Sequence, residues 1–378
     1  MTIIRNRYLA VASMFILNGA VFGIWASRIP AITDKHNLSP TALGLLLLVM
    51  ALGAVAAFAL SGRAADHYGA ATVTKYIAIL NSVILALIAF APSIWMLAIS
   101  MVIFGAITGG MDVAMNAWAA EVERKAQRPL MSSFHAMWSF GAGIGAGSSF
   151  LSATYYVNIS TQFTSSAIVI LIITLFITAI PSRSKQNKKH NNAPIYVLPK
   201  SSLLGVAIIA FCASLSEGVI ADWSAIFLIA VAHVSDGDAA LGYAVFSIAM
   251  MTMRLIGGQI VHQFGATKTA RLAALVAMIG SLIALTFTSF SLILVGFGLT
   301  GLGLSVIMPL AFSRAANDKN VSQGAAIASV ATLGYGGFLL GPPLIGFIAD
   351  ISSIRTSFLI LPVLALLIFA FSRFLLGK

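Results

Sequence analysis

An all-α membrane protein, with about twelve transmembrane helices in two six-helix halves, is the fold class that three observations predict. Apolar residues make up 59% of the 378 and charged residues only 9%, against about 25% charged in a soluble domain. Apolar stretches of about 20 residues, the length that crosses a bilayer, recur between short polar breaks along the whole chain. The one long hydrophilic stretch, Ser182–Lys200, falls midway and separates residues 1–181 from residues 201–378. No room remains for a sizeable soluble domain. The lone Cys212 excludes an intramolecular disulfide.

Breaks at Gly, Pro and charged residues place the spans in order. Tyr8–Ile29 follows Arg5 and Arg7. A charged start before an apolar run also resembles a cleaved leader, but this run has a counterpart later in the chain and is assigned to the fold. Thr41–Ser61 starts after Ser39-Pro40 and stops at Gly62-Arg63. Thr72–Ala91 lies between Gly69 and Pro92, and Ile94–Ala120 between Ser93 and the charged run from Glu121. Leu130–Ser152 follows Arg128-Pro129. Phe163–Ile180 ends at Pro181, where the linker opens. In the second half the spans are Ser202–Ala230, Ala239–Val261 after the acidic Asp236-Gly-Asp238, and Ala270–Ser289 after Lys268. Leu292–Ala315, Gln323–Ala349 and Ser357–Leu376 complete the set, parted by Asp318-Lys319 and by Asp350–Arg355.

Basic residues set the orientation, because they accumulate on cytoplasmic loops. With the N-terminus inside, eighteen Lys and Arg fall on the cytoplasmic side, three (Arg28, Lys35, Arg355) fall outside, and Arg254 lies within a span. Both termini are therefore expected in the cytoplasm. The net charge of +11 needs no nucleic acid to explain it. Ser182–Lys200, rich in Lys and Asn, is expected to be a solvated cytoplasmic connector; a lipid-headgroup or regulatory role is the alternative.

The halves repeat each other. Gly62-x3-Asp66-x2-Gly69-Ala70 corresponds to Gly258-x3-His262-x2-Gly265-Ala266. Thr108-Gly109 corresponds to Thr300-Gly301. Asn18-Gly19 followed by Trp25 corresponds to Glu217-Gly218 followed by Trp223. These matches keep their order at offsets of 192 to 199 residues, the mark of parallel repeats about an axis normal to the membrane.

Gly62-x3-Asp66-x2-Gly69 resembles the loop 2–3 signature of the major facilitator superfamily. It departs from that signature where Ala70-Ala71 replace the usual basic pair, and Lys75 comes late. Four further segments are Asn18–Pro30, Met111-Asp112-Val-Ala-Met-Asn116, Ser133-Phe-His135-Ala-Met-Trp138-Ser-Phe-Gly141 and Glu217-Gly218-x3-Asp222-Trp223-Ser224. Together they resemble the bacterial branch of rhizopine transport-like (MosC-like) membrane proteins, more distantly similar to fucose permeases. The resemblance covers essentially the whole chain and implies a secondary transporter with an open substrate. The fifth span lacks the proline-bearing glycine motif of drug-exporting relatives, which speaks against multidrug antiport.

Polar residues inside apolar spans are costly and mark function. Asp112 and Asn116 share a helix face with Thr108, and Asp112 lies about 15 Å from the inner end of its span at 1.5 Å per residue. His135 enters the next span by about 10 Å and titrates near neutral pH; the alternative is a bond to a backbone carbonyl. Glu217 lies about 22 Å from its inner end. Asp112, Glu217 and His135 are the candidates for proton coupling. Asn18, Trp25, Asn116, Trp138, Asp222 and Arg254 are the candidates for binding substrate. Structural hydrogen bonding, packing, or a head group reaching toward the interface is the competing reading for each. Gly218 and Asp222-Trp223-Ser224 suggest local unwinding. Asp222 is also readable as an exposed outer gate, which leaves Glu217 as the buried carboxylate.

Gating is expected from Gly62, Asp66 and Gly69 and from Gly258, His262 and Gly265. Asp66 can accept from N–H groups at a helix N-terminus, either as a latch or as a static cap. Gly105-x3-Gly109, Gly141-x3-Gly145, Gly143-x3-Gly147 and Gly337-x3-Gly341 permit close helix packing. The histidines are scattered, no spacing fits zinc, and no phosphate-binding loop is present. The expectation is a non-enzymatic, monomeric secondary transporter of the inner membrane, without cofactor. It moves a small polar solute, sugar- or cyclitol-like, with protons. An efflux antiporter for amphipathic compounds and a transport-dead sensor are the alternatives.

Overall fold

The computed structural model describes residues 2–127, 130–179, 199, 201–318, 321 and 323–376. The linker Ser182–Lys200, apart from Pro199, lies outside the described residues. The described secondary structure is helical throughout. In order the helices are α1 (Thr2–Ser27), α2 (Ile29–His36), α3 (Pro40–Tyr68), α4 (Ala70–Ala89), α5 (Ile94–Ala126), α6 (Met131–Thr154) and α7 (Ile159–Thr178). Then come α8 (Ser201–Ala232), α9 (Asp236–Phe264), α10 (Ala266–Thr286), α11 (Phe290–Leu304), α12 (Ile307–Ala316), α13 (Gln323–Ile351), α14 (Ile354–Ser357) and α15 (Ile360–Phe371). Eleven spans among the described residues are long and apolar enough to cross a membrane. Met131–Thr154, at 24 residues, has the length but is weakened by Ser, Gly and His.

Two compact units divide the chain. The first is Met1–Leu38, Leu46–Asn191 and Asp236–Ala240. The second is Ser39–Leu45, Asn192–Ser235 and Leu241–Lys378. The division is not a single cut, because the start of α3 groups with the second unit and the start of α9 with the first.

Glycine seams hold the first unit. A Cβ at Gly19 would strike the Trp138 carbonyl oxygen, and one at Gly23 that of Ala142. From the other side, Gly141 meets the carbonyl of Ile16 and Gly145 that of Ala20. Helices α1 and α6 therefore touch backbone to backbone, as small residues allow in lipid. Gly53 and Gly105 do the same between α3 and α5, against Val102 and Met50. The second unit repeats the device. A Cβ at Gly337 of α13 would lie 2.6 Å from the Phe211 carbonyl oxygen of α8, and one at Gly301 of α11 2.5 Å from that of Phe246 of α9.

Several ends differ from the sequence expectation. Gly62 and Asp66 lie inside α3, and Gly258 and His262 inside α9. The chain turns only at Gly69 (φ 89°) and Gly265 (φ 79°), the two glycines of positive φ among the described residues. A glycine with αR torsions does not stop a helix; one that must adopt positive φ does. Helix α8 runs unbroken, so the expected unwinding near Asp222 is absent. Gly218 instead leaves room for the Phe338 ring, 3.2 Å from where its Cβ would stand. The segment expected as Leu292–Ala315 is interrupted at Ser305-Val306, between α11 and α12. The residues after the first span form α2, with Pro30 in its first turn.

Basic side chains cap carbonyl ends. Lys35 Nζ donates to the Ala89 carbonyl of α4 at 2.7 Å. Arg355 donates through Nε to Leu285 O at 2.8 Å and through Nη2 to Thr286 O at 2.9 Å, at the end of α10. A helix C-terminus carries partial negative charge, so a cation there is stabilising. Two of the three basic residues expected on the outer side are thus held by repeat-related helix ends.

Candidate functional site

In the first unit, Asp112 Oδ1 accepts from Asn116 Nδ2 at 2.9 Å, and the same amide reaches the Asp112 carbonyl oxygen at 2.9 Å. Both side chains are half-buried. One turn earlier, Thr108 donates to Asn81 Oδ1 at 3.5 Å. Asn81 Nδ2 in turn donates to Asn18 Oδ1 at 3.0 Å. Asn18 and Asn81 are both buried, so α1, α4 and α5 share one amide node. Asn81 escaped the sequence reading, although an amide inside an apolar span also carries a desolvation cost that calls for a partner.

His135 is half-buried, its ring edge-on to Phe15 at 5.5 Å. Trp138 is half-buried against Phe22, with ring centroids 5.8 Å apart. Trp25 is fully buried beside Phe104 at 5.8 Å. Arg28 is buried, with no hydrogen-bond partner for Nε. Burial pulls its pKa below the ordinary value, and Asp236 acts in the opposite sense.

In the second unit, Glu217 Oε1 stands 3.6 Å from Arg254 Nη2. Asp222 is not exposed as an outer gate: it is 5% accessible, more deeply buried than Glu217. The helical rise gives depth along α8 but not the direction a side chain faces, and Asp222 faces the packed side. Tyr243 of α9 is buried, hydrogen-bonds Ser247, and lies within electrostatic reach of Glu217, Asp222 and Arg254. Ser214 donates to Met308 Sδ at 3.6 Å.

The loop signatures place Asp66 and His262 in the open. Both are exposed, and Asp66 has neither a hydrogen bond nor an ion pair among the described residues. Glu123 makes the carboxylate-to-helix bond instead, accepting from Leu130 N at 2.6 Å and Met131 N at 2.8 Å at the start of α6. An acid placed shortly before a helix start was the available signal. Among the described residues, no group of three or more His, Cys, Asp or Glu could hold a metal ion. The arrangement offers a carboxylate–amide pair in one unit and a carboxylate–guanidinium pair in the other, each set in apolar packing. Such groups can hold hydroxyls or exchange protons.

Comparisons with known proteins place the fold and the family. The transporter y4wD of Sinorhizobium fredii is 40% identical over 358 residues, 95% of each chain. Membrane protein MosC of Rhizobium meliloti is 34% identical over 343 residues, 90% of this chain and 83% of MosC. The structure of the E. coli fucose:proton symporter FucP superposes with a TM-score of 0.64 at 19% identity, over 98% of both chains; this is a likeness of fold. Residues 11–320 and 206–378 match the Major Facilitator Superfamily. The chain is a multi-pass membrane protein and belongs to the Major Facilitator Superfamily of secondary transporters.

Proposed function

We propose that this transporter moves a small polar solute, sugar- or cyclitol-like, across a bacterial inner membrane by proton-coupled alternating access, with both termini cytoplasmic. The carrying observation is the Asp112–Asn116 pair at 2.9 Å, half-buried in the middle of an apolar helix. A carboxylate there needs a partner, water or a proton. Asn116 donates a hydrogen bond to Asp112 Oδ1, and an ionised carboxylate has several lone-pair sites that accept a proton or a hydroxyl. In this reading Asn116 and Trp138 of the first unit contact the solute, as does Arg254 of the second, and His135 assists proton exchange. The likeness of fold to FucP, a fucose:proton symporter, supports a polar solute and a proton.

A thermal-shift screen of sugars, polyols, amino acids and drugs on the purified protein identifies the solute, because a ligand of the folded state stabilises it. Proteoliposomes then test coupling. Wild type should accumulate the solute when a pH gradient is imposed. Asp112→Asn cannot titrate, so its pH-driven accumulation should fall to background while exchange of labelled for unlabelled solute persists. Accumulation by Asp112→Asn at the wild-type level would refute the role of Asp112. Stabilisation by amphipathic drugs alone would favour efflux.

A further inference from the structure

We propose that Asp222 is the carboxyl of the second unit that takes up and releases the coupling proton, while Glu217 stays fixed in its ion pair. This rests on the proton-coupled reading above and names the residue that serves it. Two carboxylates of α8 lie in very different settings. Glu217 faces the Arg254 guanidinium at 3.6 Å, and both side chains are largely withdrawn from solvent. Protonating Glu217 would break that pair, and breaking a largely buried pair is strongly unfavourable. Glu217 already has a charged partner and is the poorer carrier.

Asp222 has no such neighbour. It is 5% accessible and its Oδ1 has no hydrogen-bond partner. None of the ion pairs among the described residues includes it. An ionised, unpartnered carboxylate in apolar surroundings is strongly disfavoured, and a bound proton removes that penalty. The other ionisable groups on the surrounding helices are paired, hydrogen-bonded, uncharged or at helix ends, where Asp236, Asp238 and His262 of α9 and the exposed Arg373 after α15 lie. From α9 come Tyr243, which hydrogen-bonds Ser247, and Arg254, which faces Glu217. From α12 comes Arg314, tied to Asp318 at 3.1 Å. From α14 comes Arg355, tied to the carbonyls ending α10. Helix α13 brings Tyr335 and the exposed Asp350, while α11 and α15 bring no ionisable side chain. On α8 itself the remaining titratable group is the buried Cys212.

Asp222 and Glu217 lie on one helix, about 7.5 Å apart along its axis. A change of charge on Asp222 is therefore felt through the low-dielectric interior at the Glu217–Arg254 pair, where a solute would bind in the reading above. The step itself is an acid–base exchange. Hydronium gives a proton to the Asp222 carboxylate, one O–H bond forms as another breaks, and water leaves. No oxidant or reductant takes part.

Infrared difference spectra of the full-length protein in lipid vesicles, recorded across a pH step, read this directly through the C=O stretch of a protonated carboxyl. We expect a carboxylic-acid component that is lost in Asp222→Asn and retained in Glu217→Gln. In Asp222→Glu the component should move in frequency rather than vanish. Labelling the wild-type aspartate carboxyls with carbon-13 should shift it, and a component that does not shift overturns the assignment even if Asp222→Asn fails to fold. Survival of the component in Asp222→Asn, or its loss in Glu217→Gln, also overturns it. Failure of proton coupling itself reads differently: solute accumulation becomes indifferent to a pH gradient while the Asp222 component persists.

Discussion

His36 closes α2 half-buried, with Nε2 shielded and without a hydrogen-bond partner. Burial, and then the adjacent Lys35, hold its pKa below the ordinary 6.5. As pH falls below that ordinary value, the unfolded chain binds a proton that the folded chain resists. Stability is therefore present above this window and is lost as pH falls through it. The thermal midpoint should drop between about pH 7.5 and pH 5.5, and His36→Gln should flatten that part of the drop. Equal slopes for both proteins would refute the assignment. At this scale the sequence was legible in residue type and less so in direction. Asp112, Asn116, Glu217 and Arg254 were all singled out, and they meet in pairs. The relative burial of Asp222 and Glu217 was inverted, because facing depends on which neighbours pack against α8. Asn81 and Glu123 were passed over: an amide carries no charge to draw notice, and Glu123 sits in the preceding helix, well ahead of the N–H groups it meets.

Helix pairs in backbone contact make a sharp prediction for single carbon atoms. Gly141→Ala places a Cβ against the Ile16 carbonyl oxygen, and backbone cannot rotate away as a side chain can. Overpacking of this kind costs about 1–3 kcal/mol or more. Gly147→Ala, with nothing within 4 Å of the new Cβ, should leave folded yield and thermal midpoint unchanged or slightly raised. Matching behaviour of the two variants would show that α1 and α6 are not held by this seam. At the end of α10, Arg355→Gln removes a cation from two terminal carbonyls. The loss should be about 0.3–1 kcal/mol, seen as faster hydrogen exchange confined to the last turn of that helix. Exchange unchanged there, or raised throughout the unit, would contradict a local cap. Span order and repeat were legible because apolar length and glycine spacing are periodic in the sequence. Span ends were not. Gly62 and Gly258 sit within helices, and the break at Ser305-Val306 carries neither Gly nor Pro at the break itself.

For the molecule as a whole, the linker is predicted to contribute length rather than chemistry. Replacing Lys185, Lys188 and Lys189 by Gln should leave solute affinity within about twofold, since charges remote from the site are screened by salt. A larger loss would mean that the linker reaches the solute path. The glycine seams carry a further consequence, which concerns how the relatives diverge. In each seam a neighbour's main chain occupies the place of a side chain, so descent can vary the neighbour's identity but not the glycine. Gly19, Gly23, Gly141 and Gly145 should be near-invariant among distant relatives of any specificity, whereas Gly147 and Gly258, which face open space, drift. A ranking of positions by invariance alone would then put scaffold ahead of specificity. The residues that choose the solute should instead be sought among polar positions that change from one relative to the next while the seams stand still.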